Sequence, residues 1–194
     1  MINIIENLEI SELKDTKFIH PIKVTFNQNG KDKTWEAVRS HNSVAILLYH
    51  VEKKAFLLVK QFRVPVFLND NSKTFTYELC AGLVDKDKPL EVIVQEEIDE
   101  ECGYHVLTDD ILKITSFYTN VGISGACQYL FFAKIDESMK IHDGGGINDE
   151  QIELMYLPSE EAEEFIFDES KAKTPGLMFS FYWFFKNIDK LGLK

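Results

Sequence analysis

Four glutamates, Glu96, Glu97, Glu100 and Glu101, crowd the run QEEIDEECG at residues 95–103. Pro89 stands near the first position of a helix and Gly103 just past its last, so the spacing predicts a helix over 89–101. On that helix Glu97 lies three residues from Glu100 and four from Glu101, and all three project from one face. Crowded carboxylates repel one another. Such a face is either a solvated acidic surface or a seat for a hard divalent cation. Oxygen-only ligands suit Mg²⁺ or Mn²⁺, whereas zinc prefers nitrogen and sulfur. The helix follows the glycine segment CAGLVD at 80–85 across the turn Asp85-Lys86-Asp87-Lys88-Pro89.

At 194 residues and 45% apolar composition the chain can bury the core of one ordinary domain. A net charge of −11 argues against nucleic acid or an anionic membrane as the main partner. It leaves room for a phosphate-bearing small molecule, because a bound metal reverses the local field. Cys80, Cys102 and Cys127 are odd in number and lack CxxC spacing. With no signal peptide, they read as reduced thiols of a cytoplasmic protein, and a zinc site is not expected. The apolar run LMFSFYWFF at 177–185 is too short to cross a membrane.

Residues 20–26 and 33–39 read as two strands joined by the turn Asn27-Gln28-Asn29-Gly30. The apolar runs Ser43–His50 and Ala55–Phe62 read as a buried hairpin. Phe75–Leu79 and Ala81–Val84 are strands leading into the acidic helix. Further strands are expected at Ile111–Tyr118, Gln128–Ala133 and Ile152–Leu157. A short helix starts at Pro158-Ser159-Glu160 with Ser159 as its cap. Pro175–Leu191 reads as a terminal helix whose aromatic stripe is core or dimer contact. Mixed strands with few helices give an α+β fold.

Gly82, Glu97, Ile98, Glu100, Glu101 and Gly103 fall in the register of the Nudix box. The chain resembles that family. Two positions depart: Lys88 stands where the family has Glu, and Glu96 where it has Arg. The segments SHNSVAILLY, LLVKQFR, YELCAGLVD and EECGYHV resemble the nucleoside-diphosphate-sugar branch. They are most similar to UDP-glucose pyrophosphatases, with ADP-ribose pyrophosphatases next.

The resemblance implies a Nudix α/β/α sandwich over residues 41–194. It also implies an N-terminal strand region, 1–40, that pairs two copies into a homodimer. The implied activity is Mg²⁺-dependent hydrolysis of the diphosphate of a nucleoside diphosphate sugar, with Mn²⁺ as an alternative ion. Glu97 and Glu101 would be the principal metal ligands, with Glu100 auxiliary, the backbone carbonyl of Ala81 completing the site and Glu150 contributing from a late loop. That loop, Asp143-Gly144-Gly145-Gly146 and onward, has glycines that permit a mobile lid. The family's other loop acid falls on Asn148, which cannot act as a base; Asp149 or Glu153 could stand in. Arg63 would bind the diphosphate, Glu78 would touch substrate or order the loop, and Trp35 and Arg39 would hold the base. Lys88 and Glu96 would form an ion pair with the family's charges reversed. A rival reading is a nucleotide-sugar sensor that binds without efficient turnover.

Overall fold

The computed structural model describes residues 8–11, 15, 19–147 and 150–193. Two strands, β1 (His20–Gln28) and β2 (Lys31–Arg39), form a separate antiparallel hairpin. Its turn places Asn29 and Gly30 at φ 55° and 78°. Those are the left-handed pair that a two-residue hairpin needs to match strand twist. The Val38 N–H donates to the Ile123 carbonyl at 2.9 Å, and the Trp35 Nε1 to the Gly122 carbonyl at 3.0 Å, tying the hairpin to the body.

The body is built on β3 (Ser43–His50) and β4 (Ala55–Gln61). Both are continuous apolar runs because both faces of the sheet are covered. Ile46 and Leu48 face one core with Leu57 and Val59. Leu47 and Tyr49 face the other with Phe56 and Leu58. A short helix α1 (Val64–Asn69) follows, then β5 (Thr76–Glu78) and β6 (Cys80–Leu83). Helix α2 (Leu90–Glu97) continues into one π-helical turn, Ile98–Cys102. The chain closes through β7 (Leu112–Thr119), β8 (Ala126–Ile135), β9 (Glu153–Pro158), α3 (Ala162–Phe167), β10 (Ala172–Lys173) and α4 (Pro175–Asn187).

Among the described residues the main sheet runs β10-β5-β4-β3-β8-β7, with β6 on β3 and β9 on β4. The centre is parallel: β3 and β8 pair in register from Ser43↔Gln128 to His50↔Ile135. Helix α2 buries Ile93 and Val94 on the Ile46 face. Helices α3 and α4 cover the other face through Phe165, Leu177, Phe181 and Phe184. This is the expected α+β sandwich. Phe181 stacks on Phe56 with ring centroids 4.4 Å apart, and Phe184 lies 4.8 Å from Tyr49, so the inner half of the aromatic stripe is core. Phe179, Tyr182 and Phe185 remain exposed.

Three local readings are corrected. The acidic helix is not α-helical to its end: its last five residues widen into the π turn, closed by Gly103 at φ 74°. Ser159 caps nothing; a 3₁₀ turn, Ser159–Glu161, precedes α3, and no side-chain cap forms there. The helix Val64–Asn69 was not anticipated. It has Pro in its first turn and no side-chain cap, and none of its residues is buried.

The edge of β3 is shared. Its last residues pair with β4, at Leu48↔Leu57 to His50↔Ala55, and its first residues with β6, at Ser43↔Leu83 to Ile46↔Cys80. Strands β4 and β6 therefore part from one another, and a cleft opens between them.

Candidate active site

That cleft is a cavity of about 530 Å³. It is lined by Arg63 and Glu78 from the β4–β5 side, Ala81 and Gly82 from β6, Glu97, Glu100 and Glu101 from the acidic helix, and Glu150 from the late loop. The structure thus brings together seven of the nine residues expected in the site. Trp35 and Arg39 do not line it. Trp35 is 56% exposed on the hairpin, its indole N–H spent on Gly122. Asn148 and Asp149 lie outside the described residues. Sequence reasoning missed Ser43, Gln61, Asp85, Lys86 and Gln128, which also line the cavity. Asp85 and Lys86 stood in a segment legible only as a turn.

Gly82 shows why a glycine opens the acidic motif. A Cβ there would fall 2.0 Å from the Glu97 carboxyl, so only a bare backbone lets Glu97 lie across β6. Glu101 goes deeper and is only 6% exposed. The Ala81 N–H donates to its Oε2 at 2.9 Å, and the Cys80 thiol also supports it. Within a strand, the N–H and C=O of one residue project to the same edge. The Ala81 carbonyl is therefore on the side of the Glu101 carboxyl.

The late loop is a strap across the π turn. The Gly145 N–H donates to the Glu101 carbonyl at 2.8 Å and the Gly146 N–H to the Glu100 carbonyl at 3.2 Å. These are helix-end carbonyls that lack intrahelical partners. Gly144, Gly145 and Gly146 sit at φ 68°, 112° and 84°, and a Cβ on Gly144 would meet the Glu101 carbonyl oxygen at 2.5 Å. The glycines serve close approach and positive φ in this strap. Glu150 follows, its Oε2 accepting from the Ile147 N–H at 3.0 Å.

Electrostatics mark the acids as short of positive charge. Burial pushes the Glu101 carboxyl up to about 8, and Glu97 and Glu150 push in the same direction. Burial and then Glu100 push Glu97 up to about 7. Among the described residues four carboxyl groups line this one cavity, and oxygen donors of this kind suit a hard divalent cation. The residue types suit such an ion. Among the described residues, the group of three whose ligand atoms already lie within 4.8 Å of one another is elsewhere: His50, Glu52 and Glu137, at the other end of β3. There the Lys53 ammonium already contacts Glu137 and lies 2.9 Å from His50 Nε2, so a cation is in place.

Ion pairs lie in and beside the cavity. Arg63 Nε and Nη2 each donate to Glu78 at 2.9 Å, a two-point fork that holds the guanidinium charge. Glu78 also accepts from the Thr76 hydroxyl. Lys88 Nζ donates to Glu96 Oε1, as the reversed pair requires. Lys86, not foreseen in this role, donates to Glu96 Oε2 at 3.0 Å. The two lysines lower the Glu96 pKa.

No family model matches the chain. It is 31% identical to the uridine diphosphate glucose pyrophosphatase of Bos taurus, over 98% of this chain and 99% of that protein. The chain belongs to the Nudix nucleoside-diphosphate-sugar pyrophosphatase family. The Mus musculus protein of the same description is 26% identical over 95% of this chain. A GDP-mannose pyrophosphatase of Cronobacter sakazakii is 41% identical over 63% of each chain. This Nudix pyrophosphatase is accordingly a hydrolase of diphosphate bonds, and its box glutamates are the ones that meet in the cleft.

Proposed function

We propose that this protein is a Mg²⁺-dependent hydrolase of nucleoside diphosphate sugars, acting on UDP-glucose first and ADP-ribose second, with Mn²⁺ able to replace Mg²⁺. The products are a nucleoside monophosphate and a sugar phosphate. The observation that carries the reading is the convergence of Glu97, Glu100, Glu101 and Glu150 on one cavity that also holds Arg63. The full-length similarity to a UDP-glucose pyrophosphatase supports the substrate class.

Glu97, Glu101 and the Ala81 carbonyl would hold the ion, with Glu100 and Glu150 completing the set. When bound, the ion supplies charge neutralisation at the phosphate oxygens and a more acidic water. The protein supplies the rest. The strap and the Ala81 N–H fix the carboxylates before substrate arrives, so little reorganisation is needed at the moment of reaction. Arg63, already oriented by Glu78, has N–H donors beyond the two that Glu78 uses and offers them to the diphosphate. Water adds to one phosphorus, the anhydride P–O bond breaks, and each phosphate leaves as a monoester.

The hairpin, residues 20–39, is proposed to pair two copies into a dimer, as part of an N-terminal unit 1–40 distinct from the hydrolase domain 41–194. Val24, Phe26 and Trp35 are exposed on it, and a lone two-stranded sheet is marginal without further cover. Trp35 and Arg39 are proposed to contact the base. We place the protein in the cytoplasm on the strength of its three free thiols. Among the described residues, no helix is long and apolar enough to cross a membrane. The retained Glu97, Glu100 and Glu101 favour turnover over a sensor that only binds, and Glu96, where the family has Arg, is paired with Lys88.

A panel of nucleotide sugars with Mg²⁺, read as phosphate released through a coupled phosphatase, tests the proposal. Turnover of UDP-glucose that stops in chelator is expected. Binding of UDP-glucose with no turnover in Mg²⁺ or Mn²⁺ would leave the sensor reading standing instead.

A further inference from the structure

Among the described residues the cavity presents six carboxylates, from Glu78, Asp85, Glu97, Glu100, Glu101 and Glu150, against two cations, Arg63 and Lys86. Arg63 is held by Glu78 through one edge of its guanidinium, Nε and Nη2. Lys86 is held differently. Its side chain is 43% exposed and makes one ion pair, to Glu96 at 3.0 Å. Glu96 has a second cation, Lys88, which does not line the cavity. Lys86 can therefore let go of Glu96 without leaving that carboxylate unpaired. Besides Glu96, the Lys86 ammonium lies in the field of Glu100 and Glu97.

We propose that Lys86 is a substrate-binding residue that turns from Glu96 to a phosphate oxygen when a diphosphate enters the cavity. The inference rests on the diphosphate reading given above. A lysine suits the role, being a compact charge on a flexible four-carbon stem that needs no fixed two-point geometry. Glu96 then has a function of its own. It keeps the Lys86 charge at the cavity mouth while the site is empty, and Lys88 neutralises it once Lys86 has left. An arginine at position 96 would repel Lys86 from this station.

Lys86 and Lys88 share one carboxylate but differ in facing the cavity, and that difference supplies the test. Binding of a methylene-bridged, non-hydrolysable UDP-glucose analogue would be measured by calorimetry in Mg²⁺, alongside KM and kcat for UDP-glucose. Lys86→Gln should weaken analogue binding and raise KM by about 5- to 20-fold, as for loss of one half-exposed charged hydrogen bond. Lys86→Arg should retain binding to within about threefold, and Lys88→Gln, which removes only the exposed charge that neutralises Glu96, should cost less than Lys86→Gln and at most about threefold. Equal losses in Lys86→Gln and Lys88→Gln would mean that Lys86 acts only through Glu96 and would overturn the proposal. So would unchanged binding in Lys86→Gln while the wild type binds. A wild type that binds no diphosphate analogue would sink the functional reading itself and this inference with it.

Discussion

Glu101→Gln should stabilise the metal-free protein at alkaline pH while abolishing most turnover. Glu101 is 6% exposed, and its folded-state pKa is about 8 against an ordinary 4.5. The folded state thus holds this proton more tightly than the unfolded chain does. Its contribution is harmless below about pH 4.5, turns unfavourable as pH rises towards 8, and levels off beyond. At about 1.4 kcal/mol per pH unit, ionising Glu101 in the folded protein costs about 3–5 kcal/mol. Glu97, pushed up to about 7, adds in the same direction; it is more exposed, and solvent screens its share. A glutamine keeps an oxygen for the Ala81 N–H and removes the ionisation.

The assay is urea unfolding near pH 5 and near pH 9, in chelator and in Mg²⁺. Wild type in chelator should lose stability between the two, and Glu101→Gln should lose about 2–4 kcal/mol less. Near pH 5, where Glu101 carries its proton, the two proteins should lie within about 1 kcal/mol of one another. Mg²⁺ should restore the wild type at pH 9, because an ion that binds only the folded state stabilises it by mass action. It should do much less for Glu101→Gln, whose turnover should fall by at least ~10²-fold. Equal pH dependence of wild type and variant in chelator would refute the argument that burial of this carboxylate is offset by a cation.

Lys88→Glu and Glu96→Arg should each lower activity, and the double variant should recover part of the loss, with a coupling of ~0–1 kcal/mol. Strict additivity in the double-mutant cycle would show that the pair does not matter. Arg63→Lys should raise KM for UDP-glucose because one charge replaces a two-point fork, and Arg63→Ala should raise it further. ADP-ribose should suffer the same loss; a loss confined to one nucleotide would move Arg63 from the diphosphate to the base. Gly82→Ala should raise the Mg²⁺ concentration needed for half-maximal activity, because its Cβ would displace the Glu97 carboxyl, 2.0 Å away. Unchanged Mg²⁺ activation in a folded Gly82→Ala would remove Glu97 from the metal set.

The parts of this architecture that were readable in the sequence are those decided locally. Val44–Tyr49 and Ala55–Val59 announce their strands by unbroken apolar character, which a strand has only when both its faces are covered. The acidic helix is bracketed by Pro89 and Gly103, whose backbone preferences act within a residue or two. The π turn at Ile98–Cys102 carries no such signature. It depends on a strap more than forty residues away that supplies N–H donors to the Glu100 and Glu101 carbonyls. The same holds for Lys86. Nothing within the run Asp85-Lys86-Asp87-Lys88 separates its two lysines, yet only one of them faces the cavity.

The late glycines have a geometric role that composition alone does not show. Three in a row suggest mobility, and here each has positive φ, with two of their N–H groups bonded to the wall of the site. An acidic cavity needs such a wall. Carboxylates whose mutual repulsion is relieved only by an ion would spread apart when the ion leaves, unless the backbone beneath them is fixed from both sides. The Ala81 N–H holds Glu101 from the strand side, and Gly145 and Gly146 hold the turn from the loop side. The raised affinity of Glu97 and Glu101 for protons comes first from burial, with neighbouring carboxylates adding to it and the Ala81 N–H working the other way on Glu101; acids held in this buried wall are poised to exchange a proton for a cation.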